Sequence, residues 1–149
     1  MHVALFLASK ADEEFAKPIT DTLKEFDIPL KIFTLSAHKV PEKVFQAVTE
    51  LNADKSPMVI ITCVGMSNGL SGVVAGSSVH PVIACPVFKD KNDYLVNIHS
   101  TLQMPSDVPV MTVLDPKNAA LSAVKILAEG NTELRQKIAE RIEKVKGKY

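Results

Sequence analysis

Along the chain, short unbroken apolar runs alternate with longer amphipathic stretches. His2–Ala8 is apolar without a helical period, which predicts a strand covered on both faces. From Asp12 to Phe26 the apolar Phe15, Ile19, Leu23 and Phe26 fall on one side of a helix. A turn at Asp27–Pro29 leads into a second strand, Leu30–Leu35, with alternation in its first half. Pro41 suits the first turn of a helix, whose apolar face is Val44, Phe45, Val48 and Leu51. A third strand is expected over Met58–Val64, then a loop, Gly65–Gly72, that winds into a short helix ending near Ser77. Pro81–Cys85 reads as a fourth strand, and Asn92–Leu102 as a helix with Leu95, Ile98 and Leu102 on one side. Val108–Leu114 is the fifth strand. Asp115-Pro116 places a side-chain acceptor and a proline where a helix starts, and that helix stops near Gly130. A more polar helix follows from Thr132 to about Lys146.

Strand and helix alternate through five strands, which predicts one α/β domain over residues 1–149. The expected architecture has three layers: a parallel five-stranded sheet, right-handed crossovers and flanking helices, with the C-terminal helix (about 131–147) placed to reach a neighbouring subunit. Such sheets bind ligands beyond the carboxyl ends of their strands. The loops that matter are therefore Ser9–Asp12, Ser36–Lys39, Gly65–Gly72, Pro86–Asp90 and Asp115–Asn118.

Composition narrows the function. A chain of 149 residues with 46% hydrophobic and 23% charged residues can bury a sizeable core. Lys plus Arg and Asp plus Glu both number 17, so nothing favours bulk nucleic-acid binding or a polybasic membrane anchor. No apolar run has the length of a membrane span. A neutral chain has little charge repulsion between copies, which favours a homo-oligomer. Cys63 and Cys85 sit in apolar runs as free thiols, in neither a CxxC pair nor a metal-ligand spacing. That usage, and the absence of a basic leader in Met1–Ser9, fit the reducing cytoplasm.

Three of the strand-end loops carry chemistry. Ser9 and Asp12 put a hydroxyl and a carboxylate at a helix mouth, where free N–H groups suit a phosphate and a carboxylate suits ribose hydroxyls. The same pair also suits a plain N-cap. Ser36, His38 and Lys39 gather a hydroxyl, an imidazole and an ammonium after the second strand. An imidazole titrates near neutrality, so this residue type moves protons in either direction. A solvent-exposed loop histidine is the alternative. In the third loop, Gly65 and Gly69 permit close backbone approach, and Ser67 and Asn68 add directional polar groups before Leu70. The loop lacks the GK[ST] ending of a P-loop, and a ligand-free helix start is its alternative. His80 belongs to the opposite end of the sheet and His99 to a helix. Cys85 precedes Pro86 at a strand end, within reach of a pocket.

Taken in order, these segments resemble the phosphoribosylaminoimidazole carboxylase family along almost the whole chain. Ser9…Asp12 is similar to its phosphate-and-ribose loop, and Ser36-Ala37-His38 to its SAH motif. Gln103-Met104-Pro105 and Asn118-Ala119-Ala120 match later segments. Lys39 after His38, Ser67-Asn68-Gly69-Leu70, Ala84-Cys85-Pro86 and Asp115-Pro116-Lys117-Asn118 resemble the CO2-dependent class II enzymes more than the class I mutases. Ala8, Ala11 and Met66 depart from the family pattern at a glycine, a serine and a class II arginine. The resemblance implies a flavodoxin-like sheet, aminoimidazole ribonucleotide and CO2 as substrates, no cofactor and an octamer with sites between subunits. It implies His38 as the proton-transfer group and Ser9, Asp12, Ser36, Lys39, Gly65, Ser67, Asn68, Gly69 and Leu70 as substrate-binding. The class I mutase is the first competing expectation, and a non-catalytic flavodoxin-like nucleotide-binding module the second. A phospho-receiver would need an aspartate where Thr62-Cys63-Val64 stands, and a flavin binder more aromatics than 5%.

Overall fold

The computed structural model describes residues 1–149. Five strands, β1 (His2–Leu7), β2 (Leu30–Thr34), β3 (Met58–Cys63), β4 (Val82–Ala84) and β5 (Met111–Thr112), form one sheet in the order β2-β1-β3-β4-β5. Every pairing is parallel. This is the flavodoxin-like, three-layer arrangement that the alternation predicts.

The helices are α1 (Glu13–Glu25), α2 (Pro41–Asn52), α3 (Gly69–Ser77), α4 (Lys91–Asn97), α5 (His99–Leu102), α6 (Pro116–Ala128) and α7 (Thr132–Lys146). Side chains alternate across a strand, so β1 feeds two cores. Val3, Leu5 and Leu7 pack with α1 and α6 through Ile19, Leu23, Ala123 and Val124. Ala4 and Phe6 pack with α2 and α3 through Val44, Val48, Leu70 and Val74. In β3, Val59, Ile61 and Cys63 join the first core, and Met58 and Ile60 the second. Both faces are covered, which explains why β1 and β3 read as continuous apolar runs.

Three expectations change. The fifth strand shrinks to Met111–Thr112 because Pro109 has no N–H to give a ladder and Val108 instead donates to Pro105 O, closing a turn. The helix expected over Asn92–Leu102 divides around Ile98, where Ser100 Oγ donates back to Asn97 O at 2.8 Å and loosens the turn. Of its expected apolar side only Ile98 is buried; Leu95 and Leu102 are exposed because this segment lies over the end of the sheet, not against its face. α7 packs on α6, buries only Leu134 fully, and is tied to the α1 end by Arg141–Glu25 and Lys137–Asp27 ion pairs. No helix is long and apolar enough to cross a membrane.

Candidate active site

The loops after β1, β2, β3 and β4 enclose a cleft of about 610 Å³ at the carboxyl ends of the strands. That volume lies in the range of small-molecule sites. The register carries the loops there: Ala8 N donates to Cys63 O, Leu35 N to Leu7 O, and Val87 N to Val64 O, each continuing a pairing beyond its strand. A parallel bridge between Gly65 and Val87 extends the β3–β4 contact into the cleft wall.

Ser9 and Asp12 stand on the first wall. Asp12 Oδ2 accepts from Ser9 N at 2.9 Å and from Ser9 Oγ at 3.2 Å, so the pair closes a one-turn 3₁₀ helix ahead of α1. Asp12 is buried, and both residues line the cleft. The N-cap reading and the ligand reading thus describe the same two residues: the tie uses Oδ2 and leaves Oδ1 free.

On the second wall Ser36 O accepts from Lys39 N and Val40 N, wrapping the chain tightly around Ala37 and His38 before Pro41 opens α2. Ser36, His38 and Lys39 all line the cleft. The third wall is Val64, Gly65, Met66 and Ser67. Met66 has φ 58°, a left-handed conformation that costs a residue with a Cβ roughly 1–2 kcal/mol. Such strain gathers at functional loops.

The rest of the third loop does not line the cleft. Asn68 is 4% exposed, and its amide is committed inward. Its Oδ1 accepts from Ser71 N at 3.1 Å and Ser71 Oγ at 2.7 Å, and its Nδ2 donates to Thr101 Oγ1 at 2.8 Å. Asn68 N donates to Ser100 Oγ at 2.9 Å, and Thr62 Oγ1 lies 2.7 Å from Ser71 Oγ. Asn68 is the N-cap of α3 and the tie between α3 and α5: its amide satisfies buried hydroxyls, and the side chain does not line the cleft. Leu70, 1% exposed, packs into the α2–α3 core, because an apolar side chain on the inward face of α3 is drawn there. Gly69 sits against the His38 ring.

The fourth wall is Val87, Lys89, Asp93 and Asn97; sequence reasoning marked the Pro86–Asp90 loop but singled out none of these four residues. Asp93 Oδ2 accepts from Lys89 N at 2.9 Å and Oδ1 from Asn97 Nδ2 at 2.5 Å. Those bonds, the Lys89 N–H first, hold the Asp93 carboxyl below the usual carboxylate range. Asp90 caps α4 by accepting from Asn92 N and Asp93 N, and Phe88 meets Tyr94 edge-on at 5.2 Å, which fixes the loop against the helix. The signal in the sequence was Asp93 and Asn97 one helical turn apart, just after a strand-end loop.

His80 lies at the far end of the sheet, its Nε2 3.1 Å from Leu51 O, and His99 is exposed on α5. Cys63 and Cys85 are buried free thiols under the cleft floor, and Cys85 lines no part of it. The neighbouring Cys85 thiol, together with burial, pushes the Cys63 thiol far up, so it stays protonated. The loop after β5 is occupied otherwise: Asp115 Oδ1 caps α6 by accepting from Asn118 N at 2.8 Å.

Comparison with known proteins decides the family. The family profile described as AIR carboxylase matches residues 2–148. The chain belongs to the AIR carboxylase family. AIR carboxylase family proteins similar to it include the phosphoribosylaminoimidazole carboxylase of Archaeoglobus fulgidus, 38% identical over 140 residues that cover 94% of this chain and 76% of that protein. The N5-carboxyaminoimidazole ribonucleotide mutase of Methanocaldococcus jannaschii is 37% identical over 148 residues, covering 98% of this chain and 91% of that one. The crystal structure of Treponema denticola PurE superposes with a TM-score of 0.92 at 36% identity, covering 98% of this chain and 92% of that chain. AIR carboxylase family members named for either reaction match this chain about equally, so the family, an enzyme family of purine biosynthesis, is settled and the reaction type rests on the site.

Proposed function

We propose that this protein carboxylates 5-aminoimidazole ribonucleotide at C4 with CO2, reversibly, and that His38 moves the C4 proton. The observation that carries the reading is one imidazole, His38, in a cleft whose other polar side chains are the hydroxyls of Ser9, Ser36 and Ser67, the ammonium groups of Lys39 and Lys89, the carboxylates of Asp12 and Asp93 and the Asn97 amide. The remaining histidines, His2, His80 and His99, line no part of it.

The aminoimidazole is an enamine, so its C4 is nucleophilic without prior activation. The ring π electrons form the C4–C bond to CO2, and one C–O π pair becomes the new carboxylate charge. C4 still carries its hydrogen and the ring has lost aromaticity. His38 takes that proton, the C–H electrons return to the ring, and the 4-carboxy product leaves. In reverse, the imidazolium protonates C4 and CO2 departs. The enzyme's contribution is alignment, exclusion of water and one proton transfer.

The lining supports a division of labour. Ser9, Ser36 and Lys39 seat the phosphate, with Lys39 as a point charge. Asp12 takes ribose hydroxyls on Oδ1. Gly65 and Ser67 face the reacting carbon from the third wall and orient CO2. Asn68 and Leu70 act from behind that wall, and no substrate contact is assigned to them. Lys39 and the Ser67-Asn68-Gly69-Leu70 stretch favour the CO2-dependent reaction over the mutase. An octameric assembly and cytoplasmic location belong to the same reading.

The mutase reading is favoured by one specific observation, the similarity to the Methanocaldococcus jannaschii protein across 98% of this chain. The two are separated by supplying the purified protein with aminoimidazole ribonucleotide plus CO2/bicarbonate, or with the N5-carboxylated ribonucleotide alone. Formation of the 4-carboxy product from the first mixture is expected. Product from the N5-carboxylated compound alone would replace the carboxylase with the mutase.

A further inference from the structure

Glycine at position 69 lacks the usual backbone reason. It is the first residue of α3, and no glycine in the chain has a positive φ, so the conformation there is open to other residues. Glycine in a helix is also the costlier choice. The reason lies in space. A Cβ built on Gly69 would stand 2.7 Å from His38 Nε2, 3.2 Å from Cε1 and 3.5 Å from Cδ2. All three nearest atoms belong to the His38 ring, and they include the nitrogen that faces α3. The contrast within the same helix is plain. A Cβ on Gly72 would meet Met104 Sδ at 3.4 Å, and one on Gly76 would meet Val108 Cγ2 at 3.8 Å, both ordinary contacts with flexible or yielding side chains.

We infer that Gly69 is a positioning residue: its missing side chain is the seat on which the His38 imidazole stands. This rests on the reading of His38 as the group that moves the C4 proton. It assigns the third-loop glycine to the base and not to backbone approach to the ligand. Any side chain at 69 must push the ring back by about 0.7 Å to reach van der Waals distance. Displacement on that scale is enough to slow a proton transfer about 10²-fold. The seat is held from beneath by the buried ties of Asn68 to Ser71 and Thr101, so α3 cannot simply retreat.

The test compares Gly69→Ala with Gly72→Ala in the full-length protein. The His38 ring nitrogens are followed by long-range proton–nitrogen NMR, assigned by their disappearance in His38→Asn. Gly69→Ala is expected to shift the His38 ring signals and lower turnover about 10²-fold while ribonucleotide affinity is kept. Gly72→Ala is expected to change neither. Adding His38→Asn to Gly69→Ala should slow turnover no further than His38→Asn does alone. A melting cycle gives a readout free of activity. Gly69→Ala should lower the melting temperature in the parent, but not in a His38→Ala background, where the methyl meets empty space. That double variant also decides the matter if Gly69→Ala alone fails to fold. Unmoved ring signals, undiminished turnover, or equal destabilisation with and without the His38 ring would overturn the inference. Near-normal turnover in His38→Asn would instead remove His38 from catalysis, while the NMR and melting results would still report on the seat.

Discussion

Asn68→Ala measures how firmly the third loop is built from behind. The side chain is 4% exposed, and three hydrogen bonds are lost at once: two accepted from Ser71 and one donated to Thr101. Loss of the N-cap on α3 costs about 1 kcal/mol. The Ser71 hydroxyl keeps Thr62 as a partner, whereas Thr101, 1% exposed, loses the Asn68 amide. A buried hydroxyl left short of a partner costs roughly 1–3 kcal/mol. The total is about 3 kcal/mol, and for a domain of this size each kcal/mol moves the melting temperature by about 2–4 °C. Thermal unfolding should therefore fall by about 6–12 °C. Calorimetry well below the transition should show ribonucleotide affinity changed little beside that loss. An unchanged melting temperature together with lost ribonucleotide binding would refute the reasoning and return Asn68 to the ligand side of the loop.

Other outcomes follow from the same geometry. Asp12→Ala removes the acceptor of Ser9 N and Oγ and the acceptor assigned to ribose; ribonucleotide affinity should drop about 10- to 100-fold by calorimetry, and an unchanged value would leave Asp12 as a loop tie only. Lys39→Met should weaken ribonucleotide binding and flatten its dependence on salt, whereas an unaltered salt dependence would remove Lys39 from the phosphate. Burial, opposed by Asp54, lowers the His2 pKa from its ordinary value, so the unfolded chain binds a proton more readily than the folded one. Stability is then fully present above the ordinary histidine range and declines as pH falls through it toward the lower folded value. His2→Gln should shrink that decline in melting temperatures taken from neutral to mildly acidic pH; an identical pH profile would contradict it.

Much of this was legible in the sequence, and particular residues say why. β1 and β3 are buried on both faces, which leaves His2 and Thr62 as their only polar residues and makes their apolar runs unmistakable. Asp115-Pro116 and Pro41 announced helix starts because capping and proline chemistry are local. The walls bearing Ser9, Asp12, Ser36, His38 and Lys39 followed from the strand-end rule. What escaped depends on contacts distant in sequence. Asn68 resembles a ligand group until Ser71, Ser100 and Thr101 are seen to surround it. Leu95 and Leu102 have helical spacing, but which side of a short helix meets a core is a tertiary decision. Asp93 and Asn97 became cleft residues only because the Phe88–Tyr94 contact and the Asp90 cap lay α4 against the fourth wall.

The most direct test is His38→Asn, assayed by the absorbance change on decarboxylation of the 4-carboxy ribonucleotide. The variant should keep its fold and its ribonucleotide affinity while turnover falls by at least about 10²–10⁴-fold. Turnover within a few-fold of the parent would show that the C4 proton moves through another group.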